Sequence, residues 1–336
     1  MDEADVSRET EPRLGALAVR TAADLDTPVP PYDDTTPMAR AVAHQLLARE
    51  GRSFVQPMSR PAQTRVLVVA NQKGGVGKTT TTVNMAVGLA QLGQRVLVID
   101  LDPQGNASTA LSVEHQRGVP STYDVLVEGT PLAEVISPVA GVEGLFAVPA
   151  TIDLAGAEIE LVSVVAREHR LRKALAGHPA IGGTAEDRFD FVLIDCPPSL
   201  GLLTLNALVA GAEMLIPIQA EYYALEGLGQ LIETVEMVKA HLNQNLVVST
   251  ILITMYDGRT RLAAGVAHEV RSHFGSKVLR TSIPRSVRVS EAPSYGQSVM
   301  TYDPGSPGAL SYLEAAREVA LQGKRPPAAP LQKDVE

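Results

Sequence analysis

Short apolar runs and longer segments of helical periodicity alternate along the chain from Arg65 onward. The apolar runs are unbroken and rich in β-branched residues, which is typical of strands buried on both faces of a parallel sheet. Strands are predicted at 66–70, 95–100, 144–148, 190–195, 213–218, 247–254 and 278–282. Helices are predicted at 79–92, 121–127, 154–176 (with a break), 201–210, 225–241, 262–273 and 307–321. This alternation predicts an α/β fold, a doubly wound, mostly parallel sheet flanked by helices on both faces.

The two ends of the chain depart from this pattern. Residues 1–62 are rich in Pro, Thr, Asp, Glu and Ala, and we predict that they form a disordered N-terminal extension. Within it, Met38 to Glu50 has the composition of a short helix, which either docks a partner or is idle. Residues 323–336 are Pro-rich and are predicted to form a disordered tail. One large domain, residues 63–322, is expected between the two ends.

Composition excludes several classes of protein. The chain has 336 residues and is 45% hydrophobic, so it can bury a full core. No apolar run approaches the ~20 residues that span a membrane, and the first residues lack the apolar core of a signal peptide, so we expect a cytoplasmic protein. A single cysteine, Cys196, excludes a disulfide framework and a cysteine-ligated metal or iron–sulfur site within one chain. The formal net charge of −9 confines any nucleic-acid binding to a local patch.

A glycine-rich loop lies between the first predicted strand and the first predicted helix. It reads Lys-Gly-Gly-Val-Gly-Lys-Thr over residues 73–79. Glycines let backbone N–H groups approach phosphate oxygens, and the start of the following helix adds partial positive charge. Lys78 supplies a point charge, and Thr79 is placed to put its hydroxyl on Mg²⁺. Strand, loop and helix together predict a phosphate cradle of the P-loop NTPase type.

One departure from the common loop motif narrows the interpretation. The common form requires a glycine where this chain has Gln72, and an additional lysine, Lys73, opens the loop. This deviant Walker A motif resembles that of the ParA/MinD superfamily of P-loop ATPases. In that superfamily the lysine matching Lys73 crosses a dimer interface to reach the partner's nucleotide. The resemblance implies ATP as the ligand, and the loop residues expected to contact it are Lys73, Gly74, Gly75, Val76, Gly77, Lys78, Thr79 and Thr80.

Three aspartates lie at or just beyond the carboxyl ends of predicted strands, where ligands of open α/β sheets bind. Asp100 ends the second strand and Asp102 follows it by two residues, and we expect both carboxylates to face the nucleotide. Asp195 ends a run of apolar residues typical of a Walker B strand, whose carboxylate holds Mg²⁺. The two stretches resemble switch I and switch II of ParA proteins, in which the position of Asp102 orients the attacking water; assistance to the metal is an equally open role. We therefore expect Lys73, Lys78 and Asp102 to be catalytic and Thr79, Asp102 and Asp195 to form the metal site.

The resemblance extends from about Arg65 to Ala320. Further blocks look like chromosomal ParA (Soj) rather than MinD; they lie at 149–151, 154–158, 219–227, 254–260 and 283–288. In the family, the segment matching Pro284 to Val287 lines the adenine pocket. The resemblance therefore adds Pro284, Arg285 and Val287 to the expected ATP-binding residues.

A local excess of basic residues stands out against the acidic chain. Between Tyr256 and Arg288 there are seven Lys and Arg against two acidic residues, a net charge of +5. A solvated basic face is the alternative interpretation, but ParA proteins bind DNA non-specifically through basic residues in this region. Few aromatic residues and no recognition-helix motif occur here, so base readout is not expected. The predicted DNA-binding residues are Arg259 and Arg288 first, then Arg285, Lys277 and Arg280.

The family resemblance implies a chromosome- or plasmid-partitioning ATPase. Mg-ATP would close two subunits into a homodimer that binds double-stranded DNA of the nucleoid, and a ParB-type centromere-binding protein would stimulate hydrolysis and release the dimer. A MinD-like membrane-positioning ATPase is the first alternative, but it should carry a basic amphipathic C-terminal helix, and this chain ends in AAPLQKDVE. The second alternative, a reductase of the nitrogenase iron-protein type, needs two cysteine ligands per subunit, and this chain has one cysteine. A small-molecule P-loop kinase or synthetase is not supported by any substrate-specific motif.

The pentapeptide Val6 to Thr10 prompts a separate hypothesis. The codons GTT-TCA-CGT-GAA-AC(N) encode it, and GTTTCACGTGAAAC is a palindrome of the kind that ParB proteins recognise in chromosomal partition systems. A two-fold symmetric DNA-binding dimer requires such symmetry. We hypothesise that these residues are kept for the DNA that encodes them, with an ordinary disordered tail as the alternative; the codons of the gene decide between the two.

Overall fold

The computed structural model describes residues 57–182, 187–221 and 224–322. An eight-stranded sheet with the order β3-β4-β2-β5-β1-β6-β7-β8 runs through the domain. The strands are β1 Arg65–Val69, β2 Val96–Asp100, β3 Ser137–Pro138, β4 Leu145–Val148, β5 Phe191–Asp195, β6 Glu213–Gln219, β7 Val247–Tyr256 and β8 Val278–Pro284. Every pair is parallel except β3 with β4. The predicted doubly wound α/β fold is therefore confirmed.

Helices connect the strands and cover the sheet. They are α1 Lys78–Gln91, α2 Asn106–Ala110, α3 Leu132–Val135, α4 Leu154–Glu160, α5 Arg170–Ala176, α6 Leu202–Ala210, α7 Ala224–His241, α8 Arg261–Phe274, α9 Val287–Glu291, α10 Val299–Tyr302 and α11 Pro307–Gln322. The predicted break within 154–176 is present, because two 3₁₀ turns separate α4 from α5. The helix predicted at 121–127 is instead largely a π-helical turn, Asp124–Glu128. Helices α2, α3, α9 and α10 were not predicted, because four or five residues are too few to show a helical period.

Two apolar clusters, one on each face of the sheet, explain the unbroken apolar strands. Along β1, Val68 belongs to one cluster, which includes residues of α6, α7 and α8. Leu67 and Val69 belong to the other, which includes residues of α1 and α11. Successive side chains of a strand point to opposite faces, so both faces of a covered sheet require apolar residues.

Helices α1 and α11 approach closely at Gly88, where an added Cβ would lie 2.9 Å from the Cβ of Ala316. Glycine at this position therefore lets α11 pack tightly over the helix that follows the glycine-rich loop.

The described part of the predicted extension is packed onto the domain. The Met58 amide donates to the Leu92 carbonyl at 2.8 Å, and the Arg60 Nε atom lies 2.7 Å from the Asp190 carboxylate. Asp190 is buried and also accepts from the Arg95 amide at 2.9 Å. The boundary at residue 62 remains a prediction, and residues 57–62 contact the domain that follows it.

Several sequence predictions lie outside the described residues. They are the helix at 38–50, the Val6 to Thr10 pentapeptide and the tail at 323–336. Among the helices that the structure describes, none combines the length and the apolar character needed to cross a bilayer.

Candidate nucleotide-binding site

The loop between β1 and α1 presents open backbone at the carboxyl edge of the sheet. Gly75 and Gly77 have φ values of 74° and 86°, in the left-handed region that favours glycine. Apart from the glycine itself and its two chain neighbours, no heavy atom of the described residues lies within 4 Å of a Cβ built at Gly74, Gly75 or Gly77. An incoming anion would therefore meet backbone N–H groups and the start of α1 rather than side chains, as a phosphate cradle requires.

Lys78 is the first residue of α1, and its side chain turns back over the loop. The residue is only 7% exposed, and its Nζ donates to the carbonyl of Lys73 at 3.3 Å. Burial lowers the pKa of Lys78, while the carboxylates of Asp195 and Asp102 oppose the shift. A buried ammonium bonded to a neutral carbonyl is poorly compensated, so it favours an anionic ligand in the loop.

Asp195 lies behind the start of α1 and holds two of its hydroxyls. It ends β5 beside Val69 of β1, and its carboxylate accepts from Thr79 Oγ1 at 2.8 Å and from Thr82 Oγ1 at 2.7 Å. Burial and the neighbouring Asp100 raise the pKa of Asp195. The structure thus brings together Thr79 and Asp195 of the predicted metal site. Thr82 was missed, although its spacing of three residues from Thr79 places both hydroxyls on one side of the helix.

The two aspartates at the carboxyl end of β2 have different environments. Asp100 is buried and accepts from the Ser108 amide at 2.9 Å, the Ser108 hydroxyl at 2.7 Å and the Asp102 amide at 3.1 Å. Its oxygens therefore anchor the segment that follows the strand, and the expectation that both carboxylates face the nucleotide is wrong for Asp100. Asp102 lines the cavity above the loop, and its Oδ1 accepts from the Gln104 amide at 3.0 Å.

A cavity of about 390 Å³ opens over the glycine-rich loop. Of the predicted ATP-binding and metal residues, those that line it are Gly74, Gly75, Gly77, Lys78, Thr79, Thr80 and Asp102. Val76 does not line it: the side chain is buried, and its carbonyl accepts from Thr254 Oγ1 at 2.8 Å. The cavity has the size and the polar loop expected of a small-molecule site.

The far end of the cavity is built from residues that sequence reasoning missed. Among them are Asn84, Met255, Pro293 and Gln297. Asn84 shares the lining face of α1 with Thr80 at a helical spacing, so that periodicity was a usable signal. Met255 lies near the end of β7, Pro293 in a 3₁₀ turn and Gln297 in the loop after that turn, and they reach the cavity only through the tertiary fold.

The predicted adenine contacts lie elsewhere. Pro284, Arg285 and Val287 are not among the residues lining this cavity. Pro284 pairs with Tyr256 at the ends of β8 and β7, and the Val287 side chain is exposed. Their contact with adenine remains a prediction.

Lys73 points away from the cavity. Its Nζ lies 2.8 Å from Glu221 Oε2, and both side chains are about half exposed. Its amide donates to Asn71 Oδ1 at 3.1 Å. Within one chain, therefore, Lys78 faces the cradle and Lys73 does not.

The basic segment, residues 256–288, is divided by strand β8. Arg259 and Arg285 lie together at the carboxyl end of β7 and β8, where the Arg285 amide donates to the Tyr256 carbonyl at 3.1 Å. Lys277 and Arg280 lie at the amino end of β8. Seven strand residues separate the two ends, roughly 20 Å. The predicted DNA-binding residues therefore form two groups.

Acidic neighbours pair with three of the predicted DNA-binding arginines. Arg259 bonds Asp257 through Nε at 2.9 Å and Nη2 at 2.8 Å. Arg288 lies 3.3 Å from Glu291 and 3.4 Å from Asp303. Arg280 lies 3.7 Å from Glu318. In the part of the chain that the structure describes, the side chains of Lys277 and Arg285 have no ion pair or hydrogen bond.

The domain is similar in sequence to a known protein family and to characterised proteins. The family model described as "AAA domain" matches residues 64–248. The sporulation initiation inhibitor protein Soj of Bacillus subtilis is 50% identical over 259 residues, which cover 77% of this chain and 99% of that protein. The chromosome partitioning protein ParA of Caulobacter vibrioides is 48% identical over 255 residues, covering 76% of this chain and 93% of that protein.

A solved structure shares the fold. The cobyrinic acid a,c-diamide synthase of Mycobacterium smegmatis with bound ADP and magnesium has a TM-score of 0.65 and is 38% identical, covering 78% of this chain and 96% of that one. Identity near one half over almost the full length of Soj and ParA, together with the glycine-rich loop and the strand order, decides the family. The chain belongs to the ParA/Soj family of chromosome-partitioning ATPases.

Proposed function

We propose that this protein hydrolyses Mg-ATP as a nucleotide-controlled dimer that binds DNA and partitions chromosomes or plasmids. The observation that carries the proposal is that the two lysines of one loop have different positions. Lys78 is buried inside the cradle, and Lys73, five residues earlier, is held outside it. A cradle that binds only the nucleotide of its own subunit needs Lys78 but has no use for Lys73.

The residues present fit ATP and magnesium. The open backbone of Gly74, Gly75 and Gly77, with Lys78, would hold the phosphates. The Thr79 hydroxyl, backed by the Asp195 carboxylate at 2.8 Å, would hold Mg²⁺. Among residues 57–182, 187–221 and 224–322, no group of three His, Cys, Asp or Glu side chains forms a cation cage, and Mg²⁺ bound with a nucleotide usually relies on phosphates and water instead. When bound, the ion would neutralise negative charge on the phosphates.

Asp102 would orient the attacking water. Its carboxylate lines the cavity, whereas Asp100 is occupied by Ser108 and only positions the loop. Because Asp102 lies on the same cavity as Thr79, a role beside the metal is the alternative. Loss of the Asp102 carboxylate should slow ATP hydrolysis under either role. Only the metal role predicts that ATP binding also becomes less dependent on Mg²⁺.

The dimer and its DNA contacts follow from the two lysines and the basic segment. Lys73 of each subunit would reach the partner's phosphates, as an arginine finger does. Arg259, Arg285 and Arg288 would contact DNA phosphates from the carboxyl end of β7 and β8. Dimerisation doubles this basic surface and so raises affinity for the nucleoid. A ParB-type protein would stimulate hydrolysis and end the DNA-bound state, so the nucleotide acts as a switch.

The test is DNA binding of the full chain with ADP, with ATP and with a non-hydrolysable ATP analogue. We expect retention on non-specific duplex DNA with ATP or the analogue but not with ADP, and release from DNA when a ParB-type partner is added with ATP. Nucleotide-independent DNA binding would contradict the switch. Co-sedimentation with anionic lipid vesicles in ATP, without DNA binding, would instead support the MinD-like alternative.

A further inference from the structure

We propose that Glu221 is a positioning residue that holds Lys73 within the single subunit. When the dimer forms, the Lys73 side chain leaves Glu221 and binds the partner's nucleotide. The proposal rests on the proposed function, because it takes the partner's phosphates as the destination of Lys73. Before the dimer forms, the Glu221 carboxylate and the partner's phosphates would compete for the same Lys73 ammonium.

The contact is built from two neighbouring strands. β1 and β6 run in parallel, with Val69 beside Leu215, so the segments that follow them emerge side by side. Asn71 joins these segments, because its Nδ2 donates to the Pro217 carbonyl at 2.8 Å and its Oδ1 accepts from the Lys73 amide at 3.1 Å. The backbone of Lys73 is thus fixed, and only its side chain is free to choose a partner.

The acidic partner is held as well. Glu221 Oε2 receives the Lys73 ammonium at 2.8 Å, while Oε1 accepts from the Gln219 side-chain amide. The Glu221 amide donates to the Gln219 carbonyl at 2.8 Å. A carboxylate braced on its far side presents one oxygen to the lysine in a fixed direction, which a freely rotating surface glutamate would not do.

The pair is exposed enough to exchange. The Lys73 and Glu221 side chains are 40% and 46% exposed, so water screens their attraction. Exposed ion pairs shift an equilibrium by only about two- to fivefold each. A nucleotide triphosphate carries more negative charge than one carboxylate, and the Lys73 ammonium would leave Glu221 for it. The pair would therefore weaken dimerisation without preventing it.

Nucleotide binding in the same subunit would also loosen this arrangement. Lys78 Nζ donates to the carbonyl of Lys73 at 3.3 Å. Phosphates in the cradle would draw the Lys78 ammonium away from that carbonyl, because an ionised acceptor makes the stronger bond. The loop would then lose one of its internal contacts at the residue that must reach across the interface.

The test compares Glu221→Gln with Glu236→Gln. Glu236 pairs with Lys239 at 3.0 Å on the exposed side of α7, so its variant also removes one exposed ion pair and one negative charge. Sedimentation velocity of the full chain with a non-hydrolysable ATP analogue gives the dimer dissociation constant. We expect Glu221→Gln to lower it by about fivefold. We expect Glu236→Gln to leave it unchanged, and ATP binding to the monomer to be the same in both.

Two further variants tie the effect to Lys73. In a Lys73→Ala background, Glu221→Gln should have no further effect on dimerisation. Gln219→Ala removes the brace but keeps the carboxylate, so it should tighten the dimer by less than Glu221→Gln; it also keeps the proposal testable if Glu221→Gln does not fold.

The outcomes separate the two proposals. A weaker dimer in Glu221→Gln, or the same gain without Lys73, would overturn the exchange. If the wild-type chain dimerises with the analogue and Glu221→Gln behaves like it, the exchange alone is wrong. If the wild-type chain stays monomeric with the analogue, the proposed function fails first and the exchange with it.

Discussion

The nucleotide cradle and the basic segment handle charge in opposite ways. In the cradle, Lys78 and Asp195 are buried, and each is bonded to fixed backbone or hydroxyl groups. In the basic segment, the Arg259 side chain is 90% exposed and is paired with Asp257, two residues away. Buried charges need specific partners, whereas exposed charges are screened and can exchange one partner for another. Substitutions should therefore have large, specific effects in the cradle and small, salt-dependent effects in the basic segment.

The largest effect is expected at Asp102. Asp102→Ala should still bind ATP and dimerise, but hydrolysis should slow by about 100-fold or more, because positioned acid–base groups contribute on the order of 10²–10⁴-fold. The variant should therefore accumulate on DNA. Phosphate release and DNA retention measure the two consequences.

Asp100→Ala is the matched control for Asp102→Ala. Asp100 is buried and accepts three hydrogen bonds, so its loss should lower the thermal unfolding midpoint, which Asp102→Ala should not do. Normal steady-state hydrolysis by Asp102→Ala would remove that residue from the catalytic set.

The cradle could be predicted to this depth because its parts are either contiguous in sequence or placed at the ends of apolar strands. Residues 73–80 lie on one loop and one helix start. Asp195 ends an apolar strand and Asp102 follows another, and the carboxyl ends of these strands must meet at one edge of a parallel sheet. The roles of Asp100 and Thr82 depended on side-chain hydrogen bonds that spacing alone does not fix. Pro293 and Gln297 reach the cavity only through the tertiary fold, and no local pattern marks them.

The basic segment was less predictable for a physical reason. Counting charges predicts a patch, but it does not reveal which cations are paired. Asp303 lies 15 residues beyond Arg288 in sequence and becomes its partner only in the folded chain, at 3.4 Å. Nor does a count show that β8 separates Lys277 from Arg285.

The second prediction separates the two lysines of the loop. Lys78→Ala should weaken ATP binding by roughly 10- to 150-fold, the range for hydrogen bonds to charged groups. Lys73→Ala should change ATP affinity little but should weaken ATP-dependent dimerisation strongly, since its side chain lies outside the cavity. Calorimetric titration and sedimentation measure the two quantities, with Lys239→Ala as an exposed-lysine control. Equal loss of ATP affinity in Lys73→Ala and Lys78→Ala would contradict the cross-interface role.

The third prediction concerns the two ends of β8. Arg259→Ala and Arg288→Ala should weaken DNA binding and leave basal ATPase activity intact. If each subunit contacts about two phosphates, log K should fall against log salt with a slope of roughly −3 to −4, and each variant should make the slope shallower.

Lys277→Ala and Arg280→Ala should have smaller effects, because these residues lie at the other end of the strand. Arg172→Ala on α5 provides an exposed-arginine control outside the basic segment. Salt-independent binding, or unchanged binding in the Arg259/Arg288 double variant, would move the DNA site elsewhere.

The smallest expected effect is a gain in DNA affinity at Asp257. Its carboxylate occupies the Arg259 guanidinium through two bonds, and those bonds hold the pKa of Asp257 at about 2. A phosphate must compete with this acid for Arg259, so Asp257→Asn should raise DNA affinity by about two- to fivefold at low salt. The gain should shrink as salt rises, because the charges are exposed.

Because the depressed pKa keeps the Asp257 carboxylate ionised down to about pH 2, the ratio of variant to wild-type DNA affinity should stay constant from pH 6 to pH 8. Filter binding or fluorescence anisotropy with the non-hydrolysable analogue measures the ratio, with Glu236→Gln as a control for the loss of one negative charge. A loss of affinity would mean that Asp257 orients the Arg259 guanidinium toward phosphate, and the exposed pair would then resemble the fixed charges of the cradle.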